Sequence, residues 1–197
     1  IIVLYYITFV NYCYKQYARS MKTESIVLGG GCFWCFDALY RRVRGVTSVI
    51  TGYAGGEKEN PTYWDLHSPN NTHAEVVRVE FDPEEIDLAT ILEIFWVMHD
   101  PTTRNQQGYD VGVEYRSIIL YNSKAQLATV KASLEDTAQQ IWSEPITTEI
   151  KPLEVFWPAE NEHQDYFTKH PEQGYCQIII NPKVAKLKKK FAHLLNP

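Results

Sequence analysis

The stretch that decides the fold runs from residue 25 to residue 35 and reads Ser25-Ile26-Val27-Leu28-Gly29-Gly30-Gly31-Cys32-Phe33-Trp34-Cys35. Its apolar start predicts a short strand, and the three glycines allow the backbone to turn sharply. Past the glycines, apolar residues recur at helical spacing: Phe36, Leu39, Tyr40 and Val43. The sequence therefore predicts a strand, a tight turn and a helix, with Cys32 at or just before the first turn of the helix.

The predicted position of Cys32 suits a nucleophile. Unpaired backbone N–H groups and the positive end of the helix dipole favour thiolate over thiol at a helix start. Phe33 and Trp34 follow directly and would give the sulfur an apolar wall. Buried free cysteine is more often a small hydrophobic residue, and this alternative applies to Cys32 and Cys35. The glycine turn favours the nucleophile.

Composition places limits on the possible functions. The 197 residues, 45% hydrophobic and 22% charged, suit one compact domain. The net charge of -5 provides no general basic field, so we expect neither nucleic acid binding nor a stable membrane association. The lysines after residue 182 fit the solvated face of an amphipathic helix.

The four cysteines, Cys13, Cys32, Cys35 and Cys176, are too irregularly spaced for a disulfide scaffold. They fit a cytoplasmic protein with redox chemistry. Cys32 and Cys35 could form half of a zinc site, but a second close Cys or His pair is missing. We therefore predict no metal site.

Residues 1–20 form an N-terminal extension of doubtful status. Their apolar start, Ile1 to Val10, is too short to span a bilayer and has no basic residue ahead of it. Translation is expected to start at Met21, and residues 1–20 would then be upstream read-through, a truncated leader or a membrane-contacting tail. We assign residues 21–197 to a single catalytic domain.

The rest of the chain mixes strand and helix patterns. Strands are predicted at 46–53, 75–81, 115–121 and 146–150, and helices at 88–98, 124–142, 160–169 and the basic C-terminus. This order indicates a single α+β domain. Two irregular segments, 55–73 and 100–114, carry tyrosines and carboxylates beside predicted strands, where functional residues are often found.

Several short motifs follow one another along the chain: Gly31-Cys32-Phe33-Trp34, Gly52-Tyr53, Gly55-Gly56, Asn60-Pro61-Thr62-Tyr63, His73-Ala74-Glu75-Val76-Val77, His99-Asp100-Pro101-Thr102-Thr103, Asp110-x-Gly112-x-x-Tyr115-Arg116-Ser117, His163-Gln164-Asp165-Tyr166 and Gly174-Tyr175-Cys176. Their order resembles type A peptide methionine sulfoxide reductase over roughly residues 25 to 191. The resemblance implies a two-layer, ferredoxin-like core of mixed sheet with packed helices.

The resemblance also implies a reaction: reduction of the S epimer of methionine sulfoxide, free or in proteins, with no metal or organic cofactor. Cys32 would attack the sulfinyl sulfur and become a sulfenic acid. Glu75 matches the proton donor, which needs a pKa raised by burial. Tyr63 and Tyr115 match phenols that hydrogen-bond the sulfoxide oxygen. Asp110 matches a supporting carboxylate in the same network.

Phe33 and Trp34 would enclose the S-methyl group of the substrate. Recycling needs a second thiol, which forms a disulfide that thioredoxin reduces. Cys176 matches the resolving cysteine and is expected in a movable loop that contains Gly and Pro. Cys35 is the alternative, since a helix brings residues three apart close together. We expect a monomer.

The chain departs from the family pattern in the loop at residues 66–72, where many relatives carry Cys-Ser-Gly-x-Thr-Gly. We expect this difference to affect substrate preference and not the chemistry. Gln106 and Glu114 also stand where Arg and Gln are frequent, but neither position has an assigned catalytic role.

Two other functions are compatible with parts of the sequence. A thiol–disulfide oxidoreductase would use Cys32 and Cys35 and act on protein disulfides. A binding module would retain methionine-like side chains in an aromatic pocket without turnover. The complete set of Cys32, Glu75, Tyr63 and Tyr115 argues against simple binding. Reduction of methionine sulfoxide would distinguish the reductase from both alternatives.

Overall fold

The computed structural model describes residues 23–197. The predictions about residues 1–20, which include Cys13, and about a start at Met21 concern residues outside this range.

The described residues form a sheet with helices packed on it. The strands are β1 (Glu24–Gly29), β2 (Val46–Ala54), β3 (Ala74–Phe81), β4 (Gln106–Gln107), β5 (Asp110–Val111), β6 (Ile118–Tyr121), β7 (Glu149–Pro152) and β8 (Phe156–Pro158). The α-helices are α1 (Phe33–Tyr40), α2 (Tyr63–Leu66), α3 (Leu88–Met98), α4 (Lys124–Ser133), α5 (Gln139–Ile141), α6 (Tyr166–Lys169) and α7 (Asn181–Phe191). Leu134–Ala138 and Cys176–Ile180 are π-helical, whereas Val113–Tyr115, Asn161–His163 and Ala192–Leu194 are 3₁₀ turns.

The core of the sheet has the strand order β6-β1-β3-β2, with all neighbours antiparallel. Along the chain these strands and two helices follow as β1-α1-β2-β3-α3-β6, which is the ferredoxin-like arrangement. At the edges, β7 pairs parallel to β6 and β8 pairs antiparallel to β2, so the sheet is mixed. The predicted α+β class with a ferredoxin-like core is confirmed.

The main core lies between the sheet and its helices. Side chains alternate across a strand, so Ile26 and Leu28 of β1 face this core while Val27 faces the opposite side of the sheet. From the helices, Phe36 of α1 stacks on Phe95 of α3 with ring centroids 5.5 Å apart. This contact packs α1 against α3 on one face of the sheet.

Polar side chains cap the N-terminal ends of α3 and α4. Asp87 precedes the helix in extended backbone, and its side chain accepts a 2.8 Å hydrogen bond from the N–H of Thr90. Ser123 caps α4 in the same way through Gln126. Both helices begin within a residue of the predicted position.

Several predicted boundaries are wrong. The strand predicted at 115–121 begins only at Ile118, because Val113–Tyr115 turns as a 3₁₀ helix. The edge strand β8 was not predicted. Cys176 lies not in a movable loop but at the start of a helical segment that continues into α7, where its side chain is fully buried. Apolar packing of Cys176 and Ile180 against the core outweighs the nearby Gly and Pro.

Within residues 23–197, no helix has the length and apolar character needed to cross a lipid bilayer.

Candidate active site

The glycine turn places Cys32 at the N-terminal end of α1, as predicted. Gly31 has φ +96°, a backbone conformation that residues with a side chain rarely adopt. The Gly31 N–H donates a 3.1 Å hydrogen bond to the carbonyl of Tyr115. This bond joins the nucleophile turn to the segment that carries a predicted phenol. The Cys32 side chain is 7% exposed.

Glu75 lies near the start of β3 and reaches the first turn of α1. Its Oε2 accepts a 3.0 Å hydrogen bond from the backbone N–H of Phe33, the residue after Cys32. The side chain is almost fully buried. Burial, followed by the carboxylates of Glu114 and Asp110, raises the pKa of Glu75 to about 8, although the hydrogen bond from the Phe33 N–H acts in the opposite direction. Glu75 is therefore mainly protonated at neutral pH.

Tyr63 and Tyr115 approach the same place from two different segments. Tyr63 begins α2, where its backbone N–H donates a 3.0 Å hydrogen bond to Glu160. Burial, followed by the charge of Glu75, raises the pKa of Tyr63 to about 12 and also raises the pKa of Tyr115. Both phenols therefore stay protonated and can donate hydrogen bonds.

The rings of Phe33 and Trp34 join a larger aromatic cluster. Trp34 stacks on Tyr166 with ring centroids 3.9 Å apart and an interplanar angle of 8°. His163 packs between the other rings, with its centroid 5.7 Å from Trp34 and 4.5 Å from Tyr63. Phe33 is buried and Trp34 is half-buried. The cluster forms an apolar wall next to Cys32.

Asp110 connects the β4–β5 hairpin with the segment before Cys176. Its Oδ2 accepts a 2.6 Å hydrogen bond from the hydroxyl of Tyr175. The Tyr175 ring in turn meets Trp34 edge-on at 6.1 Å. Asp110 thus reaches the aromatic wall through Tyr175.

Sequence reasoning gave no role to Glu160, His163, Tyr166 or Tyr175. Glu160 holds Tyr63 through its backbone, and it also accepts a 2.7 Å hydrogen bond from the hydroxyl of Tyr53. The motifs at 163–166 and 174–176 contain the other three residues, so the signal was present in the sequence. What the sequence lacked was the spatial neighbourhood that gives each residue a role.

The pKa values of the cysteine thiols differ from the prediction. Burial raises the pKa of Cys32 well above its ordinary value, and Cys35 and Glu75 act in the same direction. The N–H of Trp34 lowers this pKa, as expected at a helix start, but burial outweighs it. Cys35 instead has a lowered pKa, first because the Cys32 thiol hydrogen-bonds to it and further because of Lys183.

Cys176 is the third free thiol of the described residues. Burial raises its pKa, as do Cys35 and Glu172. Its segment packs against α1, the helix that carries Cys35. The structure thus brings Cys176 to the same side of the molecule as the predicted nucleophile.

The loop at residues 66–72 lies beside the site. His67 directly follows α2, and its Nδ1 lies 3.6 Å from Oε1 of Glu114. The His67 ring also meets Tyr63 edge-on at 4.7 Å. His67 and Glu114, two residues that the sequence comparison above singled out, therefore lie close to each other beside a predicted phenol.

The part of the chain that the structure describes contains no group of three or more His, Cys, Asp or Glu side chains arranged to hold a metal ion.

Comparison with known proteins identifies the class to which this fold and site belong. The profile of the family described as Peptide methionine sulfoxide reductase matches residues 24–195. The chain belongs to this family, and it is a peptide methionine sulfoxide reductase by class of enzyme.

Named relatives match the sequence of this chain over nearly their whole length. A protein called Peptide methionine sulfoxide reductase MsrA from Arthrobacter sp. (strain FB24) is 51% identical over 176 residues, which are 89% of this chain and 99% of the relative. One of the same name from Ralstonia nicotianae is 49% identical over 177 residues, covering 87% of this chain and 93% of the relative.

Solved structures share the fold. Reduced Mxr1 from Saccharomyces cerevisiae superposes with a TM-score of 0.73 at 34% identity, covering 79% of this chain and 90% of that one. Methionine sulfoxide reductase A of Corynebacterium diphtheriae gives the same TM-score at 33% identity and covers 77% of each chain. Mxr1 in complex with Trx2 gives 0.52 at 28% identity, covering 74% of this chain and 86% of Mxr1.

Proposed function

We propose that this chain reduces the S epimer of methionine sulfoxide, free or within proteins, through Cys32. The observation that carries the proposal is the position of Glu75: a buried carboxylic acid, hydrogen-bonded by the residue after Cys32, with a pKa of about 8. A carboxyl that keeps its proton at neutral pH beside a thiol can act as a general acid.

In the first step, Glu75 gives its proton to the sulfoxide oxygen while the Cys32 sulfur attacks the sulfinyl sulfur. Methionine leaves, and Cys32 is left as a sulfenic acid. Tyr63 and Tyr115 donate hydrogen bonds to the same oxygen. Their raised pKa values support this role, because both hydroxyls remain donors through the cycle.

The remaining residues position the substrate. Phe33 and Trp34 would receive the S-methyl group, and the stack of Trp34 on Tyr166 supports a fixed wall. Asp110 would support the network through its hydrogen bond from Tyr175.

Recycling uses Cys176 as the resolving thiol and thioredoxin as the reductant. The complex of a relative, Mxr1, with Trx2 supports thioredoxin as the partner. Cys176 is buried, so the segment Cys176–Ile180 must shift before the disulfide can reach a protein partner. We further propose that residues 21–197 act as one catalytic domain and as a monomer, in the reducing cytoplasm.

The test uses dabsyl-methionine S-sulfoxide and R-sulfoxide as separate substrates, first with dithiothreitol and then with thioredoxin, thioredoxin reductase and NADPH. Methionine is expected from the S epimer only. Equal reduction of both epimers would refute the assignment of the epimer, and reduction of neither would refute the function. An insulin reduction assay on the same preparation tests the alternative, a thiol–disulfide oxidoreductase.

A further inference from the structure

His67 contacts the ring of Tyr63, one of the two proposed phenols. It directly follows α2, four residues after Tyr63, and its ring meets the Tyr63 ring edge-on with centroids 4.7 Å apart. Residues four apart along a helix lie on the same face, so this contact follows from the sequence spacing. The ring of His163 packs on Tyr63 as well, with centroids 4.5 Å apart. Two imidazole rings therefore restrict the position of the Tyr63 side chain.

Glu114 comes directly before Tyr115, the second proposed phenol, in the 3₁₀ turn Val113–Tyr115. Its side chain is 11% exposed. The carboxylate lies against the backbone of Gly112, where an added Cβ atom would be 2.4 Å from both oxygens. Gly112 therefore leaves the space that the Glu114 carboxylate occupies.

The charge of Glu114 has one partner in the described part of the chain. Within residues 23–197, His67 is the only basic side chain within 4.0 Å of this carboxylate, with Nδ1 3.6 Å from Oε1. A buried carboxylate is costly unless a positive charge lies near it. At 3.6 Å the pair is too far apart for a hydrogen bond, so the attraction is between charges and acts when His67 is protonated.

The His67–Glu114 pair joins the two segments that carry the phenols. The backbone of Tyr115 is hydrogen-bonded to the glycine turn before α1, whereas the backbone of Tyr63 is hydrogen-bonded to the segment after β8. Among the hydrogen bonds and ion pairs of the described residues, the His67–Glu114 pair is the one that links α2 and the residue after it to the 3₁₀ turn and the glycine before it. The separation of the two phenols therefore depends on this pair.

We propose that His67 and Glu114 are positioning residues, which hold the hydroxyl groups of Tyr63 and Tyr115 where both can donate to one sulfoxide oxygen. This inference rests on the proposed function and adds how the phenols are placed. A hydrogen bond to the oxygen as it takes up a proton depends steeply on the position of its donor. Loss of the pair should therefore lower the rate of the chemical step more than the affinity for the substrate.

The experiment compares His67→Ala, Glu114→Gln and the double variant with the unchanged enzyme. Circular dichroism and urea unfolding establish that each variant is folded. Single-turnover methionine formation at a series of S-sulfoxide concentrations gives the limiting rate and the half-saturating concentration. The assays are run at pH 6, because Glu114 also raises the pKa of Glu75 to about 8 and Glu75 should stay protonated in every variant.

Each single variant is expected to lower the limiting rate about fivefold, less than the roughly tenfold effect of losing one hydrogen bond entirely. The half-saturating concentration should stay within about twofold, since the interaction acts in the transition state. The double variant should lose no more than His67→Ala alone, because both substitutions remove the same contact. The control is Lys58→Met, which removes a more exposed ion pair of α2, with Asp65, and should leave both values unchanged.

The decisive comparison uses Tyr63→Phe as the starting protein. A residue that acts through the Tyr63 hydroxyl has no further effect once that hydroxyl is absent. His67→Ala should therefore slow the unchanged enzyme and leave the limiting rate of Tyr63→Phe as it is. A residue that only supports the fold would slow both proteins by the same factor.

Unchanged limiting rates in both His67→Ala and Glu114→Gln would overturn the inference. So would a loss from His67→Ala that persists in Tyr63→Phe, or one seen only as a higher half-saturating concentration. If His67→Ala does not fold, Glu114→Gln replaces it, and an effect that is undiminished in Tyr63→Phe would overturn the inference. Failure of the proposed function is a separate result: the unchanged enzyme would produce no methionine from the S-sulfoxide at all.

Discussion

The backbone N–H of Phe33 donates a 3.0 Å hydrogen bond to Oε2 of Glu75, so the start of α1 meets the start of β3 at the proposed proton donor. A helix N-terminus ordinarily stabilises a carboxylate. Here burial outweighs that effect, and the pKa of Glu75 rises to about 8. The hydrogen bond therefore orients the carboxyl group without removing its proton at neutral pH.

Glu75→Gln should slow methionine formation in a single turnover by about 10²- to 10⁴-fold, since Gln preserves the shape but cannot donate an acidic proton. In the unchanged enzyme the rate should fall as the pH rises through about 8, because Glu75 then loses its proton. Rapid quenching followed by chromatography of the methionine measures both effects. A loss of less than about threefold would mean that water or a phenol supplies the proton.

The same substitution should change how stability depends on pH. The pKa of Glu75 is about 8 in the folded protein against an ordinary value of 4.5, so between these values the folded state keeps a proton that the unfolded chain releases. The free energy of unfolding then falls as the pH rises, by about 1.4 kcal/mol for each pH unit in this window.

Urea unfolding at pH 5, 6, 7 and 8 checks this expectation, with Glu75→Gln as the reference that lacks the titration. The unchanged protein should lose stability relative to the variant at each step of increasing pH. A difference between the two proteins that stays constant over this range would contradict the raised pKa.

Cys32→Ser should abolish sulfoxide reduction and leave the fold intact, because a serine hydroxyl is a far weaker nucleophile at neutral pH. The test combines the S-sulfoxide assay with thermal unfolding followed by circular dichroism. Measurable turnover in a correctly folded Cys32→Ser protein would remove Cys32 from the role of nucleophile.

Local patterns were sufficient to predict the elements that carry Cys32 and Glu75. The glycine turn, the periodicity of α1 and the alternation of β3 each depend on neighbours along the chain. The contacts that complete the site are distant: Glu160 holds a residue 97 positions away, and Asp110 binds a tyrosine 65 positions away. No periodicity encodes such pairs.

Sequence patterns also could not predict how the pKa values of the thiols shift. The prediction of a lowered pKa for Cys32 depends on its helix position, but burial, followed by Cys35 and Glu75, raises this pKa instead. Burial and the approach of Glu75 arise only after α1 has packed against the sheet. The predicted start of β6 and the predicted loop around Cys176 are wrong for the same reason, because tertiary packing outweighs local preference.

Tyr63→Phe and Tyr115→Phe should each lower kcat/KM for the S-sulfoxide by about tenfold, the usual effect of losing one hydrogen bond. The double variant should lose more than the product of the two effects, because either phenol alone still holds the oxygen. Steady-state kinetics with dithiothreitol provides the comparison. If both single variants and the double variant stay within about twofold, the phenols do not bind the sulfoxide oxygen.

Cys176→Ser separates the chemistry on the sulfoxide from the recycling of the enzyme. It should release one methionine per enzyme at an unchanged rate, because Cys32 attacks the sulfoxide without Cys176. Multiple turnover with thioredoxin should collapse, since the disulfide that includes Cys176 can no longer form. Dithiothreitol is small enough to reach the Cys32 sulfenic acid and should partly restore turnover. Thioredoxin-dependent turnover at the unchanged rate in Cys176→Ser would instead assign resolution to Cys35, and mass spectrometry of the oxidised variant would then contain a Cys32–Cys35 disulfide.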